Sequence, residues 1–320
     1  MPSLSVIICT RNRAESLRQT LESIGKVTVP QGWSSELLVV DNGSTDHTHA
    51  VANEIQLRNM NLRHVSEPMT GLSNARNTGL REASGEIILF TDDDVRFPWN
   101  WVEGMCRPIL DGAADAVAGG VVFPAEYAVA LSRPAFSSRR IWFASTEELD
   151  PNRPARLVGA NLAFHRRVLA RVPKFDVELG AGALGFGEET LFSFQLLAAG
   201  YKLIGAFDVF VEHHFDLARL SMEGLLDQAR KRGRSHAFIF HHWEHHKSRL
   251  VIPRLILCHL RRVWTRCFAG RRSENADSIS DQALQLEQDL AFYREYIVQR
   301  RRGFKYSLHG LAPQVPDVEA

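Results

Sequence analysis

Three adjacent aspartates, Asp92, Asp93 and Asp94, directly follow the apolar run 87–90. Neighbouring carboxylates repel one another, so three of them at the end of a buried strand require a compensating charge. If the backbone is still extended here, side chains alternate, and Asp92 and Asp94 share a face that Asp93 does not. Such a D-x-D pair can bind a hard divalent cation through oxygen. The alternative is a helix cap, but a cap does not need three aspartates.

Glu188 and Glu189 form a second acidic group, placed between the glycine-rich segment 180–187 and an apolar helical pattern. Adjacent residues on a helix point about 100° apart, so only one of the two carboxylates can face a given ligand. A carboxylate within hydrogen-bond reach of a hydroxyl can act as a general base. The structural alternative is an acidic first helical turn, which favours the positive end of the helix.

Alternating strands and helices must position these groups. We predict strands and helices at the following places in chain order: strands at 4–9, 36–40, 62–65, 86–90 and 207–215, helices at 15–24, 45–57 and 71–83, and a strand leading into a short helix at 157–169. This alternation indicates βαβ units and a parallel sheet, which binds ligands beyond the carboxyl ends of its strands. Asp41 and the aspartate triplet each follow a strand, so we expect both at one edge of the sheet.

Composition is ordinary for a globular protein of 320 residues, with 45% hydrophobic and 23% charged residues. The four cysteines form no CxxC pair, which favours a reducing, cytoplasmic location. We expect no signal peptide, because the N-terminal stretch lacks a basic start and a cleavage site. We also expect no transmembrane helix, because no apolar run reaches about 18 residues.

Charge divides the chain into two parts. Residues 1–218 hold 20 Lys and Arg against 26 Asp and Glu, whereas residues 219–320 hold 18 against 11. The balances are −6 and +7, so the two parts differ in their surroundings. We predict a catalytic domain at 1–218 and a basic, helical extension at 219–320.

Six segments, taken in order, resemble the inverting family-2 glycosyltransferases of GT-A fold: SVIICTRNR, LLVVDNGSTD, GLSNARNTGL, ILFTDDDV, GANLAF and FGEETLFSFQLLAAGYKL. The resemblance covers about residues 3–215, and several motifs in one order are more specific than any single motif. It implies an α/β, Rossmann-like GT-A fold with a mostly parallel sheet flanked by helices. It also implies transfer of a sugar from a nucleotide-diphosphate sugar to an acceptor hydroxyl, in polysaccharide, glycolipid or cell-envelope glycan synthesis.

The resemblance also implies residue roles. Asp92, Asp94 and His213 would bind Mn²⁺ or Mg²⁺, to which mixed carboxylate and imidazole ligands are better suited than to Ca²⁺. Glu189 would be the general base, although the family often has a Glu-Asp pair here, which leaves Glu188 as an alternative. The nucleotide-sugar-binding residues that it implies are Thr10, Arg13, Asp41, Arg76, Asp92, Asp93 and Asn161, with Asp93 included as a neighbour of unassigned role.

Two other functions compete with this interpretation. A nucleotidyltransferase also uses a parallel sheet and paired aspartates, but it usually carries a glycine-rich loop near the first strand, and the segment CTRNRAES has no glycine. An inactive nucleotide-sugar-binding scaffold is disfavoured because all the expected carboxylates are present. We expect no nucleic-acid partner.

The segment 249–272 mixes apolar residues at helical spacing with arginines. It is typical of a helix packed on the catalytic domain with a basic outer face. The alternative is an interfacial helix attracted to anionic lipid at the inner face of the plasma membrane, which would suit a lipid-linked rather than a free glycan acceptor.

Overall fold

The computed structural model describes residues 1–133, 136, 139–147, 149, 156–268 and 280–311. Its strands are β1 (Ser3–Thr10), β2 (Ser34–Asp41), β3 (Asn61–Ser66), β4 (Ile87–Thr91), β5 (Val95–Arg96), β6 (Ala116–Val122), β7 (Asn161–His165) and β8 (Leu203–His213). Its α-helices are α1 (Ala14–Ile24), α2 (Thr48–Glu54), α3 (Leu72–Glu82), α4 (Trp101–Leu110), α5 (Ala128–Leu131), α6 (Glu188–Ala198), α7 (Met222–His242), α8 (Val251–Phe268) and α9 (Asp281–Gln299). Short 3-10 helices lie at Ala125–Tyr127, Arg140–Phe143, Arg166–Ala170 and Leu217–Leu220.

One mixed sheet contains these strands in the order β3-β2-β1-β4-β7-β6-β8-β5. The first four pair in parallel, as the alternation of strands and helices predicts. β7 then runs antiparallel to β4 and β6, while β6 and β8 pair in parallel and β5 runs antiparallel to β8. The predicted α/β fold with a helical C-terminal extension is therefore confirmed, with a sheet that is more mixed on the β7 side.

The central strand β1 shows why the sheet is covered on both faces. Val6 and Ile8 belong to the core that packs on α1, whereas Ile7 belongs to the core that packs on α3. All three side chains are fully buried. A continuous apolar run is what a parallel strand needs when helices cover both of its faces.

The C-terminal helices pack on one another at a point that only glycine permits. A Cβ at Gly233 of α7 would lie 2.2 Å from the carbonyl oxygen of Gln288 in α9. The two helix backbones can therefore approach closely only because this position has no side chain. α7 is held in this way at the side of the sheet, where one of its faces helps to line a cavity.

The exposed residues of α8 correct one expectation. A helix packed on the catalytic domain would bury its apolar residues, but Ile256, Leu260 and Val263 are 54%, 62% and 58% exposed. Val251 and Cys258 face inward instead. Helical spacing identifies an apolar face but does not say which neighbour covers it. Within the described residues, no helix is both long and apolar enough to cross a membrane. The boundary at residue 218, between the predicted catalytic domain and the C-terminal extension, stays a prediction.

Candidate active site

A cavity of about 1020 Å³ opens at the carboxyl ends of β1, β4 and β8, and its walls include the start of α3, the first turn of α6 and one face of α7. The topology brings these ends together because β1 and β4 are parallel neighbours and the last residue of β8 pairs with the start of β5. Nine of the residues predicted from the sequence line this cavity: Thr10, Arg13, Arg76, Asp92, Asp93, Asp94, Glu188, Glu189 and His213.

The aspartate triplet divides between two sets of partners. Ligand atoms of Asp92, Asp94 and His213 all lie within 4.8 Å of one another. Asp93 points away from them. It accepts a hydrogen bond from Thr10 Oγ1 at 2.6 Å and forms an ion pair with Arg13 at 2.6 Å. The structure therefore separates the three neighbouring carboxylates, and the middle one fixes the turn to the end of β1.

His213 is oriented with one ring nitrogen towards Asp94. Its Nδ1 donates to the carbonyl oxygen of Phe143 at 2.8 Å, and this assignment follows because a carbonyl oxygen can only accept. Nε2 then faces Asp94 Oδ1 at 3.4 Å, and this buried oxygen has no hydrogen-bond partner among the described residues. A divalent metal fits such a set, since a histidine ligand commonly donates its other N–H to a backbone carbonyl.

The pKa values of Asp94 and Asp93 are shifted in opposite directions. Burial favours the protonated form of Asp94, but the charges of His213 and Arg13 outweigh it and lower the pKa of that carboxyl. Burial raises the pKa of Asp93 to about 7, although Arg13 partly opposes the shift. Asp94 therefore stays ionised as a metal ligand must, while Asp93 is the weaker acid of the two.

Arg76 connects the helix that carries the glutamates to the aspartate triplet. It is 2% exposed, forms an ion pair with Glu188 at 2.8 Å, and lies 3.9 Å from Asp92. Glu188 is itself 4% exposed; burial and the neighbouring Glu189 raise its pKa, and the guanidinium of Arg76 opposes that shift. Glu188 thus has a partner within the protein.

Glu189 occupies the freer position of the pair. Gly187 adopts a φ of +90°, a conformation that favours glycine, and turns the chain into α6 so that both glutamates lie in its first turn. Glu189 is half-buried and lines the cavity, and its Oε2 has no hydrogen-bond partner among the described residues. The carboxylate that can reach a cavity ligand without breaking an ion pair is therefore that of Glu189.

Two predicted site residues do not line the cavity. Asp41 ends β2 beside Thr10, as expected, and accepts a hydrogen bond from the Ser44 backbone N–H at 2.9 Å. It lies 3.9 Å from His64 at the same edge of the sheet.

Asn161 corrects the second expectation, because it is fully buried in the sheet. Its amide donates to the carbonyls of Gly120 and Val209 at 2.8 and 2.9 Å and accepts from Trp101 Nε1 at 2.9 Å. All of its polar groups have partners within the fold, so the structure gives it a place in the core rather than beside a sugar.

Several cavity residues were missed by sequence reasoning. Arg219 comes from the short helix after β8, and Gln228 and Arg232 come from α7. Gln228 and Arg232 are four residues apart and so share one helix face. Their spacing was the available signal, but a polar helix face is most often solvated, and nothing in the sequence indicates that this one faces a cavity.

Comparison with known proteins agrees with the fold and the motif order. Residues 5–172 match the model of Glycosyl transferase family 2. The chain belongs to glycosyltransferase family 2. Its relatives include Glycosyltransferase AglE of Haloferax volcanii, 30% identical over 212 residues that make up 65% of this chain and 66% of that protein. Another is Glycosyltransferase GlyA of Streptococcus pneumoniae, 25% identical over 92% of this chain but only 37% of its own length.

A solved structure of similar fold is the mannosyltransferase PcManGT from Pyrobaculum calidifontis, determined in complex with GDP-Man and Mn²⁺. The two chains superpose with a TM-score of 0.59 over 92% of this chain and 87% of that one, at 18% sequence identity. At this identity the likeness shows the fold alone. The predicted family and GT-A fold are thus confirmed, while residue roles and substrates stay predictions.

Proposed function

We propose that this protein is an inverting, metal-assisted glycosyltransferase that moves a sugar from a nucleotide-diphosphate sugar to an acceptor hydroxyl. The observation that carries the proposal is the shared cavity, in which the Asp92–Asp94–His213 set and the carboxylate of Glu189 lie together. The Asp92–Asp94–His213 set suits a metal ion and a diphosphate, and the carboxylate of Glu189 suits a hydroxyl. Donors of this kind accompany structural neighbours, one of which was solved with GDP-Man and another with UDP-GlcNAc.

The geometry favours a single displacement. Glu189 accepts the proton of the acceptor hydroxyl while the hydroxyl oxygen attacks the anomeric carbon and the bond from that carbon to the diphosphate oxygen breaks. The electron pair of that bond leaves with the nucleoside diphosphate. A double displacement needs a second free carboxylate as nucleophile, and Glu188 is instead engaged by Arg76. One attack from the opposite side inverts the configuration at the anomeric carbon.

Asp92, Asp94 and His213 would hold Mn²⁺ or Mg²⁺, which would neutralise charge on the departing diphosphate. The protein prepares this place by fixing His213 through Phe143 and by pairing Arg13 with both Asp93 and Asp94. Burial lowers the pKa of His213, but the negative charge of Asp94 outweighs burial and raises it. A proton and a metal ion would therefore compete for Nε2 of His213.

Glu189→Gln tests the assignment of the base. The substitution keeps the size of the side chain and removes its basicity, so transfer should fall by about 10²- to 10⁴-fold. Nucleotide binding should stay within about twofold, as measured by calorimetric titration with Mn²⁺ present. Normal turnover in this variant would show that Glu189 is not the base. Glu188→Gln is the matched comparison, and its main expected effect is loss of stability, because Arg76 would lose its partner.

Slow hydrolysis of the donor separates this function from its rivals. A transferase without acceptor should release free nucleoside diphosphate from a nucleotide sugar when Mn²⁺ is present. A nucleotidyltransferase would instead need added pyrophosphate, which would attack the α-phosphorus of the nucleotide sugar and yield a nucleoside triphosphate and a sugar 1-phosphate. A binding scaffold would release neither product. A panel of nucleotide sugars screened by thermal shift with Mn²⁺ would choose the donor for this assay.

We further propose that the acceptor is a glycan carried on lipid, for synthesis of a glycolipid or cell-envelope glycan, and that α8 contacts the membrane surface. Ile252, Ile256, Leu260 and Val263 form an exposed apolar stripe, with Arg254 exposed beside it. An apolar face next to basic residues is what anionic lipid surfaces attract. The protein should sediment with phosphatidylglycerol vesicles but not with neutral ones. If Ile256→Ser and Leu260→Ser together leave sedimentation unchanged, α8 is not the contact.

A further inference from the structure

One face of α7 forms a wall of the cavity. The residues of this face that line the cavity recur at helical spacing: Gly224, Asp227, Gln228, Lys231, Arg232, Ser235, His236 and Ile239. The face presents an amide and charged groups instead of the apolar side chains that a packed face would carry, and Lys231 forms an ion pair with Asp227 one turn earlier.

Arg232 projects from this face towards two aromatic rings. Its guanidinium carbon lies 5.0 Å from the ring centre of Trp142 and 5.2 Å from that of Phe186. Among the described residues, its buried Nε has no hydrogen-bond partner, and no carboxylate lies within ion-pair distance of the guanidinium. The two rings orient the planar group, and they leave its N–H donors available to a planar oxyanion.

Gln228 lies one turn earlier on the same face and is also unpaired. It is 3% exposed, yet neither its Oε1 nor its Nε2 has a hydrogen-bond partner among the described residues. Burying a polar group in this way destabilises a fold unless something else binds to it. The amide and the guanidinium together therefore point to a ligand.

Arg232 and Glu189, the candidate base, line the same cavity, and Phe186, against whose ring Arg232 lies, is in the turn that leads into Glu189. Glu189 is also the carboxylate with the largest electrostatic effect on Arg232, whereas Asp94 and Asp92 have the largest effects on Arg219. Since Asp92 and Asp94 would lie beside the donor diphosphate, Arg232 is better placed than Arg219 to bind a group of the acceptor.

We propose that Arg232 and Gln228 form a subsite for an acceptor that carries an oxyanion, a carboxylate or a phosphate, close to the hydroxyl that receives the sugar. Arg232 binds the oxyanion through its N–H donors, and Gln228 hydrogen-bonds the same group or a neighbouring hydroxyl. The inference rests on the proposed function, because it assumes that an acceptor enters beside Glu189. It goes further by assigning the class of acceptor to residues outside the six motif segments.

Binding without turnover tests the subsite. The full-length protein is titrated by NMR or calorimetry with methyl glucuronide, with inorganic phosphate, and with methyl glucoside as the neutral match of the glucuronide. We expect methyl glucuronide or phosphate to bind at least about 10-fold more tightly than methyl glucoside, since hydrogen bonds to charged groups are the stronger ones. The better of the two anions distinguishes a carboxylate from a phosphate on the acceptor.

Variants at two neighbouring positions assign the effect. Arg232→Gln should weaken anion binding by about 10- to 100-fold and leave methyl glucoside unaffected. Arg232→Lys keeps the charge without the planar fork and should recover part of the affinity, which excludes simple misfolding as the cause. Arg230→Gln is the control, because Arg230 pairs with Glu287 at 3.2 Å and faces away from the cavity, and it should change affinity by less than twofold.

Equal binding of methyl glucuronide, phosphate and methyl glucoside would overturn the proposal, as would unchanged anion affinity in Arg232→Gln. Either result leaves the proposed function intact if the wild-type protein still releases nucleoside diphosphate from a nucleotide sugar. Anion binding at Arg232 without donor hydrolysis would instead support the subsite and contradict the proposed function.

Discussion

The cavity has two walls, and they balance their charges differently. On the sheet side, Arg13 pairs with Asp93 and Asp94, and Arg76 pairs with Glu188. On the side formed by α7, Arg232 rests between aromatic rings, and Gln228 has no polar partner among the described residues. The sheet side holds its shape through contacts within the chain, whereas Arg232 and Gln228 on the helix side lack such polar contacts among the described residues.

This difference has an energetic basis. Buried ionised groups are tolerated when they are paired, and breaking one such pair costs about 3–5 kcal/mol because the remaining charge is left unbalanced. The paired wall is therefore preorganised for a metal and a diphosphate, which need fixed ligands. The unpaired wall loses stability in the empty protein and regains it on binding, which makes its residues better suited to selecting a ligand than to supporting the fold.

Among the variants that compare the two walls, Asp94→Asn should have the largest effect, because it removes a charge from the paired wall. Transfer should fall by about 10²- to 10³-fold, and Mn²⁺ affinity should fall with it, since an amide is a poorer ligand for a hard cation. Mn²⁺ binding is followed by electron paramagnetic resonance and transfer by steady-state kinetics. Asp208→Asn makes the same change at an exposed position of β8 and should alter neither. Undiminished Mn²⁺ affinity in Asp94→Asn would remove the metal from this wall.

Gln228→Leu should have an intermediate effect of the opposite sign on stability. An apolar side chain of similar size replaces a buried amide that has no partner, so the free energy of unfolding should rise by about 1–2 kcal/mol. Affinity for the acceptor should fall at the same time. Denaturant titration measures the first effect and acceptor titration the second.

Gln299→Leu provides the matched control for that prediction. Gln299 is also buried, but its side chain hydrogen-bonds His242 at 2.9 Å and Glu295 at 2.6 Å. The same substitution there should lower the free energy of unfolding by about 1 kcal/mol, since it leaves a partner unsatisfied. If the two variants lose stability equally, Gln228 has a structural partner and the contrast between the walls is wrong.

The paired wall could largely be predicted from the sequence, and the unpaired wall could not. Asp92 and Asp94 follow an apolar run in a βαβ pattern, and this alone places them at the ligand-binding edge of a parallel sheet. His213 lies near the end of another predicted strand, 207–215. These placements follow from strand direction, which short-range periodicity determines well.

The burial of Asn161 could not be predicted from strand direction or periodicity. Its three partners lie on β6, β8 and α4, 41 to 60 residues away in the chain. No local pattern indicates that an asparagine near the start of a strand will form hydrogen bonds to residues so far away in the chain. The same limit applies to α7 and α8: a helix pattern predicts which residues share a face, but tertiary packing decides that the polar face of α7 lines a cavity and that the apolar stripe of α8 stays exposed.

Glu178→Gln should have the smallest effect, and it tests how the two walls are held together. Glu178 precedes the glycine-rich segment that leads to α6, and it pairs with Arg302 and Lys305, which follow α9. Hydrogen bonds from Arg302 and Lys305 lower its pKa from 4.5 to about 2, although burial partly opposes them. These ion pairs connect the segment before α6 to the segment after α9, the helix on which α7 packs.

The sign of the pH dependence follows from the lowered pKa. A carboxyl whose pKa is lower in the folded state contributes stability above pH 4.5, and that contribution is lost as pH falls towards 2. Because Glu178 is partly exposed, we expect Glu178→Gln to lower the free energy of unfolding by about 1 kcal/mol at pH 7. The variant should also lose less stability than the wild type between pH 5 and 3, as followed by denaturant titration at each pH. Glu86→Gln, at an exposed position, should follow the wild-type curve. If Glu178→Gln follows that curve as well, the ion pairs of Glu178 do not stabilise the fold, and the helix wall is held by the packing of α7 on α9 and on the core.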